Sequence, residues 1–362
     1  MKLLVLTQDY PRLDGTHERM YVHVRNMYYN KYGHDVTVIN FSAKDNYVID
    51  NIKVITKDNY KKNKEKYDLL IVHAPNLKNH YIFLKRYIRK FNHIVFFFHG
   101  HEIMKLNKTY PKPYAYVKNS KKIYKIFQSL YDILKINIWK KYMKKINYKT
   151  DYIFVSNWIY NKYKENFKLK YSVQKPNEHI INNSIGKIFE NKNYNKYCEK
   201  IYDYITIRSN LDGSTYCIDL LIKIVKEYPQ KKFILIGKGK FFKYNQKPKN
   251  LIWLDKTLNH SEMIEYLNKS KIAIQLTRHD TQGVMSCELA TFGIPLITSD
   301  IDVCKEFFTR FENVKMISNN LDICDLKVLQ ENFENIKIKN ESFYAKNTIK
   351  KELNLFEKLY RK

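Results

Sequence analysis

The 362-residue sequence contains no uninterrupted apolar run of roughly eighteen residues, the length a helix needs to cross a bilayer, so no membrane-spanning segment is expected. At the amino terminus the apolar stretch Leu3-Leu4-Val5-Leu6 is cut short by Thr7-Gln8-Asp9, too soon for a secretory leader. A cytoplasmic chain is expected. The five cysteines, Cys198, Cys217, Cys287, Cys304 and Cys324, lack paired spacing, which argues against a disulfide framework. No Cys/His cluster has zinc-ligand spacing, and no metal site is expected. Asp300-Ile301-Asp302 has a metal-binding look, but it follows Gly293-Ile294-Pro295 at a strand end and is set aside. Glycine (9) and proline (8) are scarce while tyrosine (31), lysine, asparagine and isoleucine are inflated, the bias of an AT-rich coding sequence. Part of the net charge of +29 is therefore compositional background.

The rest of that charge is uneven. Residues 101–150 carry thirteen lysines against Glu102 and Asp132 alone, a net of +11. The same stretch spaces Ile123, Ile126, Phe127, Leu130, Ile133, Leu134, Ile138 and Trp139 as a helix does. Two readings stand: a basic amphipathic helix on an anionic membrane surface, or a helix packed on the core with solvated lysines. Nucleic acid is not expected, since zinc-finger spacing, an RNP-like aromatic motif and a basic region leading into heptads are all missing.

At this length two domains are the default. Lys2 to Thr7 reads as a strand, Gly15 to Tyr32 as a helix and His34 to Ile39 as a second strand, a βαβ opening. Strand-like runs recur at Val48–Ile55, Asp68–Val72, Ile94–Phe98 and Tyr152–Val155, with helical patterns between most of them. After the polar, linker-like stretch Glu190 to Lys196 a second alternating series begins at Tyr204–Ile207 and continues through Lys232–Ile236, Leu251–Leu254, Ile272–Leu276 and Leu296–Thr298. The pattern predicts an α/β chain of two Rossmann-like, doubly wound domains, residues 1–185 and 186–345, with an amphipathic helix over about 346–362.

The most informative segment runs from His279 to Pro295. Asp280 and Glu288 lie eight residues apart around the turn Gln282-Gly283-Val284, where a strand passes into a helix. Such a turn presents backbone N–H groups and the positive end of the helix dipole to an anion, while the carboxylates suit hydroxyls. An ordinary βα turn has the same spacing, and spacing alone does not separate the two.

Asp280-x7-Glu288 followed by Leu289-Ala290-Thr291-Phe292-Gly293-Ile294-Pro295 resembles the Glu-x7-Glu signature of the retaining nucleotide-sugar glycosyltransferases of the glycosyl transferases group 1 family (family four), with Asp in place of the first Glu. That resemblance implies the GT-B fold, two domains facing a central cleft, with the last helix crossing back to the first. Other segments match it in order. The Gly15-Thr16 loop resembles the family's Gly-Gly-x-Glu-Arg loop with one glycine replaced. His99-Gly100, at the end of the strand Phe96-Phe97-Phe98, resembles its cleft histidine, with His101 and Glu102 as second choices; Ser156 matches its acceptor-side serine. Arg208 resembles the arginine that grips the donor diphosphate, Tyr216 stands where the family has a lysine, and Gly237 and Gly239 match its Gly-x-Gly.

The resemblance then implies that Arg208 and the Gln282-Gly283-Val284 turn hold the leaving diphosphate. His99 and Asp280 contact the transferred sugar, Glu288 binds the ribose hydroxyls, and Gly15, Thr16, Gly237 and Gly239 allow close backbone approach. Lys238 or Lys240 is the candidate replacement for the lost lysine. The expected partners are a nucleoside-diphosphate sugar and a glycan or lipid-linked acceptor, with no cofactor and no metal. Three other readings remain: a nucleotide-sugar 2-epimerase on the same architecture, a catalytically degenerate scaffold, and a non-enzymatic basic protein binding anionic membrane or nucleic acid.

Overall fold

The computed structural model describes every residue except 14–17, 63–64, 118–121, 169–175, 322–332, 334–338 and 362. These residues form two compact units, one of Met1–Lys105, Leu130–Ser184 and Ser342–Lys362, the other of Leu106–Ser129 and Ile185–Glu341.

The first unit is built on strands β1 (Lys2–Thr7), β2 (Asp35–Asn40), β3 (Tyr47–Ile49), β4 (Ile52–Ile55), β5 (Leu69–His73), β6 (Ile94–Phe98), β7 (Thr150–Phe154) and β8 (Asn177–Ile180). Their order is β3-β4-β2-β1-β5-β6-β7-β8, and only the β3–β4 pair is antiparallel. Runs such as Leu69-Leu70-Ile71-Val72 and Ile94-Val95-Phe96-Phe97-Phe98 are apolar at every position because a parallel sheet is covered on both faces. The run Val48–Ile55 does not form the single strand its composition implies. Asp50 and Asn51 adopt positive φ values of 47° and 61° and turn the chain into the β3–β4 hairpin, a conformation these two residue types tolerate better than most. The first helix is also shorter than its pattern implies, Met20–Lys31.

The helix Ile349–Tyr360 buries Ile349, Leu353, Phe356 and Leu359 in the core that Val22 and Tyr29 of Met20–Lys31 also enter. One polar knot fixes it there. Arg25 Nε donates to Glu352 Oε1 at 2.9 Å, both side chains being fully buried, while Tyr29 donates to Glu352 Oε2 at 2.5 Å and Arg25 Nη1 to Asn183 at 2.7 Å. The Arg25 guanidinium also lies 5.1 Å from the centre of the Phe97 ring at the sheet.

The second unit carries β9 (Tyr202–Asn210), β10 (Phe233–Lys238), β11 (Leu251–Leu254), β12 (Ser270–Gln275), β13 (Leu296–Ser299) and β14 (Val314–Ile317) in the order β11-β10-β9-β12-β13-β14, with every pairing parallel. This is the strand order of dinucleotide-binding sheets. The helix Ile218–Glu227 covers one face, burying Ile218, Leu220, Leu221, Ile224 and Val225.

A boundary drawn at residue 185 misses one excursion. Leu106–Ser129 belongs to the second unit, because the hydroxyls of Tyr114 and Tyr116 donate to Asp219 (2.9 Å) and Asp212 (2.8 Å) and the Tyr116 ring stacks on Tyr244 at 4.3 Å.

Truncating Glu352 to alanine leaves the Arg25 charge buried without its partner, and a loss of about 3–5 kcal/mol is expected in urea unfolding. A loss below about 1 kcal/mol would mean that the knot does not anchor the terminal helix.

Candidate functional site

In the second sheet the strand order reverses between β9 and β12, and open α/β sheets bind ligands outside the carboxyl ends of the strands at that point. Arg208 lies near the end of β9 and is buried. Its Nη2 donates to the carbonyl of Leu276 at 2.5 Å, and the Tyr216 ring centre lies 5.0 Å from the guanidinium carbon. Its Nε is buried and donates to no acceptor among the described residues. Burial lowers the Arg208 pKa, and the nearby Tyr216 and Asp280 oppose that shift. With an intrinsic pKa above about 12 the group remains a cation, shielded from water and with a donor to spare.

Asp280 follows β12 and closes the turn before the helix Val284–Phe292. Its Oδ1 accepts from the backbone N–H groups of Thr281 (2.7 Å), Gln282 (3.3 Å) and Gly283 (2.8 Å). Two of the three amides expected to meet phosphate are therefore engaged by Asp280. By helix geometry the N–H groups of Val284, Met285 and Ser286 have no intrahelical acceptor and carry the positive end of the dipole. Burial pushes the Asp280 pKa up, while the three amides and the Arg208 charge pull it back.

Glu288, one turn into that helix, meets a different neighbourhood. Its Oε1 accepts from Gly186 N–H at 3.0 Å and lies 3.9 Å from His260 Nε2. Burial raises its pKa to about 7. A Cβ on Gly186 would stand 2.7 Å from the His260 ring, so a side chain there would require the imidazole to shift.

Gly237 and Gly239 are required by packing at the end of β10. A Cβ on Gly237, whose φ is +156°, would stand 2.0 Å from the Arg208 carbonyl oxygen, and one on Gly239 would stand 2.9 Å from Leu211. The glycines thus let β10 close on the strand that carries Arg208. Tyr216 supplies an aromatic face to Arg208 where the resemblance has a second cation. Arg278, which reaches the neighbouring Ser214 carbonyl, is already committed, donating also to both Asp219 oxygens (2.8 and 2.6 Å). Lys238 and Lys240 are exposed, and the Lys240 amide donates to Asp212.

In the first unit, His99 follows β6. Its backbone N–H and that of Gly100 both donate to the Glu102 carboxylate. Its ring Nε2 is 3.0 Å from His73 Nδ1 and its centre 4.4 Å from that of Tyr21. Burial, assisted by His73, Arg25 and Arg19, lowers the His99 pKa well below the usual imidazole range, so His99 is a neutral hydrogen-bonding group. Glu102 is a loop-fastening carboxylate. Ser156 does not line a site: it is buried and caps the helix Asn157–Phe167 by accepting from Ile159 N–H at 3.1 Å. Gly15 and Thr16 lie outside the described residues.

Among the described residues no group of three His, Cys, Asp or Glu side chains could hold a metal ion, and no helix is long and apolar enough to cross a membrane. Cavity volume does not select the site. A cavity of about 590 Å³ lined by Tyr194, Lys200, Lys271, Phe292 and Lys339 lies by the amino ends of β12 and β13.

Solved structures agree with this architecture. A sucrose-phosphate synthase from Thermosynechococcus elongatus superposes with a TM-score of 0.69 at 10% identity over 99% of both chains. An α-glucosyltransferase in complex with UDP and a 13-mer DNA gives 0.60 at 13% identity, covering 99% of this chain and 100% of that one. The pneumococcal O-GlcNAc transferase GtfA in complex with UDP and GlcNAc gives 0.57 at 17% identity, covering 90% of this chain and 64% of that one. The chain has the GT-B fold. No protein-family profile and no curated protein sequence matches it.

Three features of this GT-B chain escaped the sequence reading. Gly186 and His260 close around Glu288, and His73 touches His99. Asn259, which forms a reciprocal capping box with Glu262, marks the helix start that carries His260, and so gave a readable local signal. Gly186 and His73 carry no such signal, because their importance comes from residues 102 and 26 positions away.

Two outcomes are expected here. Asp280→Ala leaves three backbone donors without their acceptor and should cost about 1–3 kcal/mol of stability, whereas Asp280→Asn keeps one side-chain oxygen and should cost less; equal losses in urea unfolding would contradict the capping role. For Glu288 the native pKa of about 7 exceeds the ordinary 4.5, so the native state holds a proton that the unfolded chain has released. Stability from this group is full below the ordinary carboxyl range and falls as pH rises to about 7. Glu288→Gln should flatten that slope in denaturation at a series of pH values, and an unchanged slope would place the titration elsewhere.

Proposed function

We propose that this chain is a retaining glycosyltransferase that moves a sugar from a nucleoside-diphosphate sugar to a hydroxyl of a glycan or lipid-linked acceptor. Arg208 carries the reading: a buried guanidinium with a spare donor, at the strand-order reversal and beside a helix start. A diphosphate supplies acceptor oxygens for that spare donor and further negative charge beside the guanidinium. Two structures sharing this fold, the α-glucosyltransferase and GtfA, are complexes with UDP.

In the proposed reaction the bond between the anomeric carbon and the diphosphate oxygen breaks, and the acceptor oxygen bonds to that carbon on the same face. The acceptor's proton passes to the departing phosphate. Arg208 and the N–H groups opening Val284–Phe292 meet the negative charge that develops on the leaving group. Asp280 faces the Arg208 charge and orients sugar hydroxyls, neutral His99 hydrogen-bonds the transferred sugar, and Glu288 accepts from the ribose hydroxyls. No metal or other cofactor is required in this scheme. We place the reaction in the synthesis of bacterial surface polysaccharide or lipopolysaccharide, by a cytoplasmic protein whose basic 101–150 stretch rests on the inner face of the membrane.

Saturation-transfer NMR across UDP-, GDP-, ADP- and dTDP-sugars should show one preferred donor. With that donor, Arg208→Ala should lower kcat/KM about ten- to a hundredfold, the worth of one charged hydrogen bond, with unchanged circular dichroism. Binding of none of the donors would overturn the proposal, and turnover of a UDP-N-acetylhexosamine without acceptor would replace it with epimerisation.

A further inference from the structure

The helix Lys122–Ile146 has one face that the fold does not use. Its buried side chains, Asp132, Lys135, Ile136, Trp139, Met143 and Ile146, lie along one side. On the opposite side Ile123, Ile126, Phe127, Leu130, Ile133 and Leu134 are each 50–65% exposed. Their spacing of three and four residues puts them in one stripe over the first three turns. Continued at about 100° per residue, the same line reaches Lys141, Lys144 and Lys145, which are exposed as well. One outward face is thus apolar for half its length and cationic for the other half. Single exposed apolar residues are ordinary, but six large ones in a row are not.

Charge decides the occupant. The helix holds seven lysines and one acid, Asp132, which is spent on Lys135 at 2.8 Å. A second copy docking through this face would set like-charged lysine rows against each other in a chain of net charge +29. An anionic lipid surface removes the apolar stripe from water and neutralises the lysines together. We propose that the exposed stripe of Lys122–Ile146 inserts into the headgroup–acyl boundary of an anionic membrane, with Lys141, Lys144 and Lys145 engaging lipid phosphates. This sharpens the membrane contact in the functional proposal by assigning it to apolar insertion of one helix face. It depends on the transferase reading only for its purpose, the delivery of a lipid-borne acceptor.

Co-sedimentation of the full chain with phosphatidylcholine vesicles, with and without phosphatidylglycerol, tests it without any sugar donor, so failure here and failure of the transferase reading are separately visible. Binding is expected only to the anionic vesicles and should weaken with salt. The triple variant F127S/L130S/L134S should bind at least about tenfold more weakly while keeping its circular dichroism and its donor binding. A triple variant K141E/K144E/K145E should also lose binding. Undiminished binding by the serine variant would overturn the insertion. So would a wild-type dimer in analytical ultracentrifugation that the serine variant converts to monomer, since the face would then belong to a second copy.

Discussion

A parallel strand pair cannot be joined by a hairpin, so each connection must cross over a face of the sheet, and the crossover is right-handed. In both units every strand pair except β3–β4 is parallel, so that constraint governs the connections, and the candidate site follows from it. Chains that wind first one way and then the other from a central strand part at the reversal, here between β9 and β12. The loops after those two strands diverge and leave backbone ends uncovered. Arg208 lies near the end of β9, and Asp280 lies in the loop after β12. Their proximity is a consequence of strand order, although 72 residues separate them in the chain.

Much of this was legible because parallel strands announce themselves. Covered on both faces, they read as unbroken apolar runs such as Ile94–Phe98, and the two series of runs yield two doubly wound sheets. Failures came where local chemistry competes with the run. Val48–Ile55 hides a hairpin because Asp50 and Asn51, two polar residues in the middle of an otherwise strand-like stretch, take left-handed backbone conformations. The Leu106–Ser129 excursion was hidden for another reason: lysines dominate its composition, but tyrosine hydroxyls reaching Asp212 and Asp219 decide where it packs.

The site shows a similar division. The resemblance grouped Arg208, Asp280, Gly283 and Glu288; the structure brings Arg208 and Asp280 near one another, while Glu288 meets Gly186 and His260. Sequence could not show that Asp280 would use its carboxylate to close the turn, nor that Gly237 faces the carbonyl of Arg208. Both are close approaches between loops distant in the sequence, and a motif records which residues are present without recording which hydrogen bonds they spend. Ser156 makes the same point. A serine at a strand end serves equally as a site hydroxyl or a helix cap, and full burial with Ile159 N–H in reach leaves it the second role.

Tyr216 alters the electrostatics of the site. In place of a mobile ammonium, Arg208 has an aromatic face, which attracts a cation but adds no charge. Arg278 does not restore that charge, because the Asp219 carboxylate already holds it in a forked pair. In the proposed reaction a diphosphate would therefore meet the desolvated Arg208 guanidinium and the amides that begin Val284–Phe292. Backbone amides are fixed in place by the fold, unlike a lysine that must be ordered on binding, so they stabilise developing charge without rearrangement. Their orientation depends on the turn that Asp280 holds with three hydrogen bonds. In the proposed reaction, where Tyr216 stands in the position that the resemblance gives to a lysine, this chain of dependence makes the capping carboxylate more consequential for chemistry, even though its own charge has the wrong sign for phosphate.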